Sequence, residues 1–182
     1  MIQRDLWYKP DIFIASDIDS QQIMNERSPI LDRIGDFAEG LGKKVVVAPL
    51  VAHRLKDDAA FTYYILEAVG GCDLFIADIG HNSTSVGMIL GRAYLSRKNV
   101  ILSHERKNVL ESVRGVRSKV IGTSMDREQN SEVLNSPHAF LFHDELNAEL
   151  KAYPHIFGVV RFDNYDECFR NVSAKIREYF SS

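Results

Sequence analysis

Long apolar runs, cysteine, glycine-rich loops and one-signed charge blocks are all scarce in this chain, and each scarcity excludes a class. The longest apolar stretches, such as "VVVAPLVA", are strand-sized, well short of the roughly 20 residues of a bilayer span. A membrane protein is not expected. The N-terminal "MIQRDLWYKPD" has no apolar signal core, which argues against secretion and for a cytoplasmic location. Only two cysteines occur, Cys72 and Cys168, in no metal-binding or redox spacing; they read as small buried apolar residues in a reducing compartment. No basic block stands out against a net charge of −3, so no nucleic-acid footprint is expected. There is no cysteine–histidine cluster, no glutamate-bearing zinc helix, no phosphate loop ending in Gly-Lys-Ser and no Gly-rich dinucleotide fingerprint. The expectation is that neither metal nor organic cofactor is used.

What is present is ordinary for a globular domain: 182 residues, 45% hydrophobic and 26% charged. That is one domain with a real core, and too short for two. Apolar strand-like runs alternate with segments of helical period. "DIFIAS", "KKVVVAPL", "CDLFIADIG", "NVILSH" and "SKVIGTS" read as five strands, with "HAFLFHDE" and "IFGVVRFD" as later candidates. Continuous runs of this kind suit strands buried on both faces of a parallel sheet. Between them, Ser28-Pro29 reads as an N-cap and first helical residue, with Gly42 as terminator. "KDDAAFTYYILEAVGG" presents Phe61, Tyr64, Ile65, Ala68 and Val69 on one face, and "NSTSVGMILGRAYLS" presents Val86, Ile89, Leu90 and Ala93. "RKNVLESVRGV" reads as a further short helix. Asn164 followed three residues later by Glu167 is a capping-box start for a last helix carrying Phe169, Val172, Ile176 and Phe180. The pattern predicts a single doubly wound α/β domain over 1–182. It has a mostly parallel five-stranded sheet of flavodoxin or Rossmann type, with an extra C-terminal strand and helix.

Ligands in such sheets bind beyond the carboxyl ends of the strands. That places Ser16, Asp17 and Asp19 after the first strand. Asp78, His81, Asn82, Ser83, Thr84 and Ser85 follow the third, and Ser103 and His104 the fourth. The hydroxyl-rich start of the third-strand helix offers unpaired N–H groups and a partial positive charge, an anion cradle. Gly87 and Gly91 bare the backbone there, either for a ligand or for helix–sheet packing. Arg92 lies on the same helix and could meet a phosphate, though a solvated arginine is the commoner case.

"CDLFIADIGHNSTSVGMILGRAYLSRKNVILS" resembles the central motif of the nucleoside 2-deoxyribosyltransferase superfamily, and within it the 2'-deoxynucleoside 5'-monophosphate N-glycosidase branch. "SVGMILGRA" matches the branch's "GVG-ELGRA" apart from the first glycine and the glutamate. The resemblance implies a nucleotide or nucleoside monophosphate as ligand. Ser83 would contact its 5'-phosphate, Gly87 and Gly91 would match family glycines, and Ser112 would reach the phosphate held by a partner subunit. A homodimer packed through the motif helix is implied too. The family nucleophile is a glutamate that attacks the anomeric carbon; its position here is Ile89, which has no lone pair to offer. A family aspartate would fall near Ile65, and a tyrosine near Ile12 or Phe13.

The resulting expectation is a catalytically impaired relative that binds a nucleotide through Ser16, Asp17, His81, Asn82, Ser83, Thr84, Ser85, Gly87, Ile89 and Ser112. Two alternatives stay open. One is an active N-glycosidase or deoxyribosyltransferase using a relocated carboxylate, Asp17, Asp19 or Asp78, with His81 or His104 as acid or base. The other is a nucleotide-signal sensor or a structural partner subunit.

Overall fold

A computed structural model describes residues 9–16, 21–52, 58–79, 84–105 and 155–182. Five parallel strands form one sheet: β1 (Ile12–Ala15), β2 (Val45–Val47), β3 (Leu74–Asp78), β4 (Asn99–Glu105) and β5 (Ile156–Phe162). Their order is β2-β1-β3-β4-β5, the flavodoxin-like arrangement. The helices are α1 (Gln21–Gly40), α2 (Ala48–Ala52), α3 (Asp58–Gly71), α4 (Thr84–Leu95) and α5 (Tyr165–Ser181). No described helix is long and apolar enough to cross a membrane.

Strand residues alternate between two cores, and that parity decides which helices each one meets. Ile12, Ile14, Leu74, Ile76 and Ile101 pack with Ile30, Leu31 and Ile34 of α1 and Cys168, Val172 and Ile176 of α5. Phe13, Ala15, Phe75, Ala77 and Leu102 pack on the other face against α2, α3 and α4. Phe13 and Phe75 stack across β1 and β3 with ring centroids 5.9 Å apart. Both cysteines are buried and unbridged. Desolvation pushes each thiol up to about 12, so both stay protonated and pack as small apolar groups.

Two expectations need correction. Ser28-Pro29 does not open α1; the helix begins at Gln21 and runs through Pro29. The missing proline N–H is tolerated because the preceding turn is held by tertiary contacts: Met24 and Arg27 are buried, and Ser28 Oγ donates to the Met24 carbonyl at 2.6 Å. The second strand is also shorter than "KKVVVAPL". It stops at Val47, and Ala48–Ala52 turns into a short helix, as Pro49 favours, since proline suits the first turn of a helix, where its missing N–H would have no partner anyway. The C-terminal strand and helix expected from the sequence are present: "IFGVVRF" is β5, parallel to β4 with an irregularity between Val100 and Ile101, and α5 follows it. The strand candidates "SKVIGTS" and "HAFLFHDE" and the short helix "RKNVLESVRGV" lie outside the described residues.

The end of α1 and the start of α5 follow their sequence signals. Gly42 at φ 75 closes α1 with the paired bonds Gly42 N to Glu39 O (2.8 Å) and Lys43 N to Ala38 O (3.2 Å), the left-handed terminator that glycine favours. At α5, Asn164 accepts from the Glu167 N–H at 3.0 Å, while the Glu167 carboxylate accepts from the Asp163 N–H at 2.8 Å. Arg33 and Arg177 lie over Phe169 and Phe37 respectively, tying α1 to α5.

Candidate functional site

The carboxyl ends of β1 and β3 are neighbours across which the strand order reverses, the place where open α/β sheets bind ligands. Two residues named from the sequence meet there. Ser16 follows β1 and Asp78 ends β3, and Ser16 Oγ donates to Asp78 Oδ2 at 3.3 Å. Both are buried, Asp78 to 6% exposure. They lie on the α1/α5 side, in parity with Ile14 and Ile76.

A third group joins them that the sequence gave no cause to single out. Arg27, in the first half of α1, is 1% exposed. Its Nε stands 3.5 Å from Asp78 Oδ2, and its Nη2 donates to Glu105 Oε2 at 3.0 Å. The guanidinium also stacks over two rings, 5.6 Å from the centroid of Phe162 and 5.2 Å from that of Tyr165. The ends of β1, β3, β4 and β5 and the starts of α1 and α5 thus meet around one buried cation. A buried guanidinium is tolerable only with such carboxylate partners, since an unpaired charge in a dry interior costs several kcal/mol. In sequence, Arg27 falls just before the helix start read at Ser28-Pro29, and its carboxylate partners lie 51 and 78 positions away.

The opposite side of the β1 and β3 ends is apolar. Ile89 is 5% exposed and belongs to one cluster with Ile65 of α3 and Phe13 of β1, together with Ala77, Val86 and Ala93. Ile12, the other position considered for the family tyrosine, packs on the α1/α5 face. Ser103 Oγ reaches the Ala77 carbonyl only at 3.5 Å. His104 is buried, in parity with Val100 and Leu102 on the α2–α4 face.

Thr84 opens α4 just beyond β3, and Ser85 follows half-buried. Gly87 is exposed, and a Cβ at Gly87 or Gly91 would meet nothing within 4 Å. Neither glycine is therefore needed for packing on the sheet. Arg92 turns toward α3, its Nε donating to the Leu66 carbonyl at 3.4 Å and its Nη2 lying 3.1 Å from a Cβ built at Gly70. It serves the carbonyl end of α3, where a cation is favourable, rather than a solvated face. Asp17, Asp19, His81, Asn82, Ser83 and Ser112 lie outside the described residues. Among the described residues no group of three His, Cys, Asp or Glu side chains is placed to hold a metal ion.

Strand order and a polar cluster at the β1/β3 switch define an α/β protein of flavodoxin-like topology with its candidate site at the strand ends. Among solved structures, the CMP N-glycosidase BcmB of Clostridium botulinum is similar to this chain. The TM-score is 0.55 and the identity 15%, with 90% of this chain and 98% of that chain covered. At that identity the likeness speaks for the α/β fold alone. No family model matches the sequence, and no curated protein matches it.

Proposed function

We propose that this chain is a nucleoside 2-deoxyribosyltransferase-like protein of impaired catalysis. In this reading it binds a nucleotide or nucleoside monophosphate between the carboxyl ends of β1 and β3 and the N-terminus of α4. The observation that carries the reading is the shared apolar cluster of Phe13, Ile65 and Ile89. The sequence resemblance calls for a carboxylate at position 89, a second near position 65 and a hydroxyl near position 12 or 13. A covalent carboxylate nucleophile supplies several kcal/mol of transition-state stabilisation, and an isoleucine supplies none. At the anion end, the N-terminus of the twelve-residue α4 would attract a phosphate, which in this reading Ser83, Thr84, Ser85 and Gly87 would contact. Ser16 and Asp17 would line the other side, His81 and Asn82 the loop, and Ser112 would come from the partner.

A second reading has one observation in its favour. Asp78 ends β3 between the Ser16 hydroxyl and Arg27. A carboxylate held there could activate water against an N-glycosidic bond without a covalent intermediate. Incubation of the protein with nucleosides and nucleoside monophosphates, followed for free base and for melting temperature, separates the readings. A nucleotide-dependent rise in melting temperature without base release is the expected result. Base release that disappears in Asp78→Asn would establish the second reading instead. Neither effect with any ligand would leave a structural or partner-subunit role.

Self-association belongs to the first reading. The outer face of α4 exposes Met88, Tyr94 and Leu95, the last to 79%, beside the bare backbone of Gly87 and Gly91. Helix-interior glycine costs about 1 kcal/mol relative to alanine, and contacts within the chain do not require either one. Close approach of a second α4 across a two-fold axis would use both features. Sedimentation of the wild type and of Leu95→Glu is the check: a dimer that becomes a monomer in the variant is expected, and a monomeric wild type ends the idea.

A further inference from the structure

The helix α1 changes character at Pro29. Beyond it, Ile30, Leu31, Ile34 and Ala38 pack into the core shared with β1, β3 and α5. Before it, only Met24 and Arg27 are buried among the described side chains. The tie of the segment Gln21–Ser28 to the strand ends is Arg27. Its Nη2 donates to Glu105 at 3.0 Å, its Nε approaches Asp78, and its guanidinium lies over the rings of Phe162 and Tyr165. One half of the helix is anchored by a row of apolar side chains, the other by a charged clasp.

The joint between the halves is weakened twice. Pro29 has no N–H to give the turn before it, and its ring crowds the carbonyl four residues back. Ser28 Oγ donates to the Met24 carbonyl at 2.6 Å, a side-chain bond that bends helices. Proline and such inserted bonds are the usual causes of a helix hinge. The polar cluster beside the joint is closed: Ser16 is 1% exposed and Asp78 6%. No ligand reaches either one unless a covering element moves. Swinging the clasp out returns Arg27 and its carboxylates to water together. That costs far less than deleting one partner inside the closed structure, because rehydration offsets the lost attraction.

We propose that Gln21–Ser28 is a lid over the carboxyl ends of β1 and β3, hinged at Ser28-Pro29 and clasped by Arg27. The second half of α1 stays docked on the sheet while the first half opens. That the lid admits a nucleotide to Ser16 and Asp78 rests on the nucleotide-binding reading above; the lid itself does not.

Amide hydrogen exchange of the whole chain, resolved by residue with NMR, tests it. The amides to follow are those of residues 25–28, since the first four of any helix have no intrahelical partner. In the wild type they should share one opening free energy and exchange at least about a hundredfold faster than those of residues 33–38. A gradient of rates from residue 25 to residue 28 is end fraying and overturns the lid, as does exchange no faster than at 33–38. In Arg27→Met the same four amides should exchange about a hundredfold faster than in the wild type; unchanged rates there overturn the clasp. CMP at ten times its dissociation constant should slow them about tenfold. Unchanged rates in a protein whose melting temperature CMP raises would show that the segment does not close over the ligand, and would overturn its role as a lid. A protein that binds no CMP refutes the nucleotide reading instead, and the exchange of the free protein still decides the lid.

Discussion

Replacing Arg27 by methionine is expected to destabilise the protein by about 3 kcal/mol, a drop of roughly 6–12 °C in melting temperature for a domain of this size. The size follows from what the substitution leaves behind. Asp78 and Glu105 would lose the guanidinium that now sits between them. Removing one partner of a buried pair leaves the other's desolvation uncompensated. The estimate stays at the lower end of the range because the Glu105 side chain is 23% exposed and water can reach it. Methionine keeps most of the apolar stem, so the loss reports charge more than packing. The double variant Arg27→Met/Asp78→Leu should recover much of the loss, since an apolar replacement of a buried pair is often near neutral. Arg27→Lys should fall between, because a single ammonium cannot present a planar fork to two carboxylates and two rings at once. Thermal melts of the four proteins are sufficient. A loss under 1 kcal/mol in Arg27→Met, or no recovery in the double variant, would mean that the guanidinium does not hold this corner together.

The fate of Arg27 shows where the sequence is legible and where it is not. The runs "IFIA", "LFIAD" and "VILS" announce central strands because both faces of each are buried, and the glycine and asparagine caps announce helix ends because capping is a local bond. Ser16 and Asp78 could be named as neighbours because topology alone puts the ends of β1 and β3 side by side. Arg27 could not, because its partners come from β3 and β4, and its place on the stripe of Met24, Ile30, Leu31 and Ile34 shows only once α1 is carried back past Ser28-Pro29. For the same reason Ser28-Pro29 misleads: the local signal for a helix start is genuine, but Met24 and Arg27 are drawn into the core and carry the helix back to Gln21. Tyr165 shares the fault. The Asn164–Glu167 pair locates the start of α5, but not the cation beneath its first ring. Which face of the sheet a strand residue meets was equally hidden, since runs apolar on both sides carry no period-two signature. That ambiguity matters most at position 13: the parity of β1 decides that Phe13, and not Ile12, shares a cluster with Ile89.

Ile89→Glu, the substitution that restores a carboxylate to the motif helix, is expected to weaken the fold by about 3 kcal/mol at neutral pH and to restore little or no base release. In the described structure the new side chain would enter the cluster of Phe13, Ile65, Ala77 and Val86, which offers it no donor. A carboxyl in such surroundings keeps its proton, so its folded-state pKa rises above the unfolded value of about 4.3. The sign of the pH dependence follows. The folded protein then binds more protons than the unfolded chain, and stability falls as pH rises through about 4.3 until the folded-state group ionises. The deficit relative to wild type should therefore be smaller near pH 5 than near pH 8, which paired melts at the two values would measure. Catalysis needs more than the missing acid, because the nucleophile must be ionised and aimed at an anomeric carbon. With Ile65 and Phe13 unchanged, nothing in the cluster would ionise or aim it. Adding Phe13→Tyr and Ile65→Asp supplies a hydroxyl and a second carboxylate, and only that combination is expected to release base. Substantial turnover by Ile89→Glu alone, with a pH-independent melting temperature, would mean that position 89 opens onto the ligand cleft and that the single lost glutamate is the whole of the impairment.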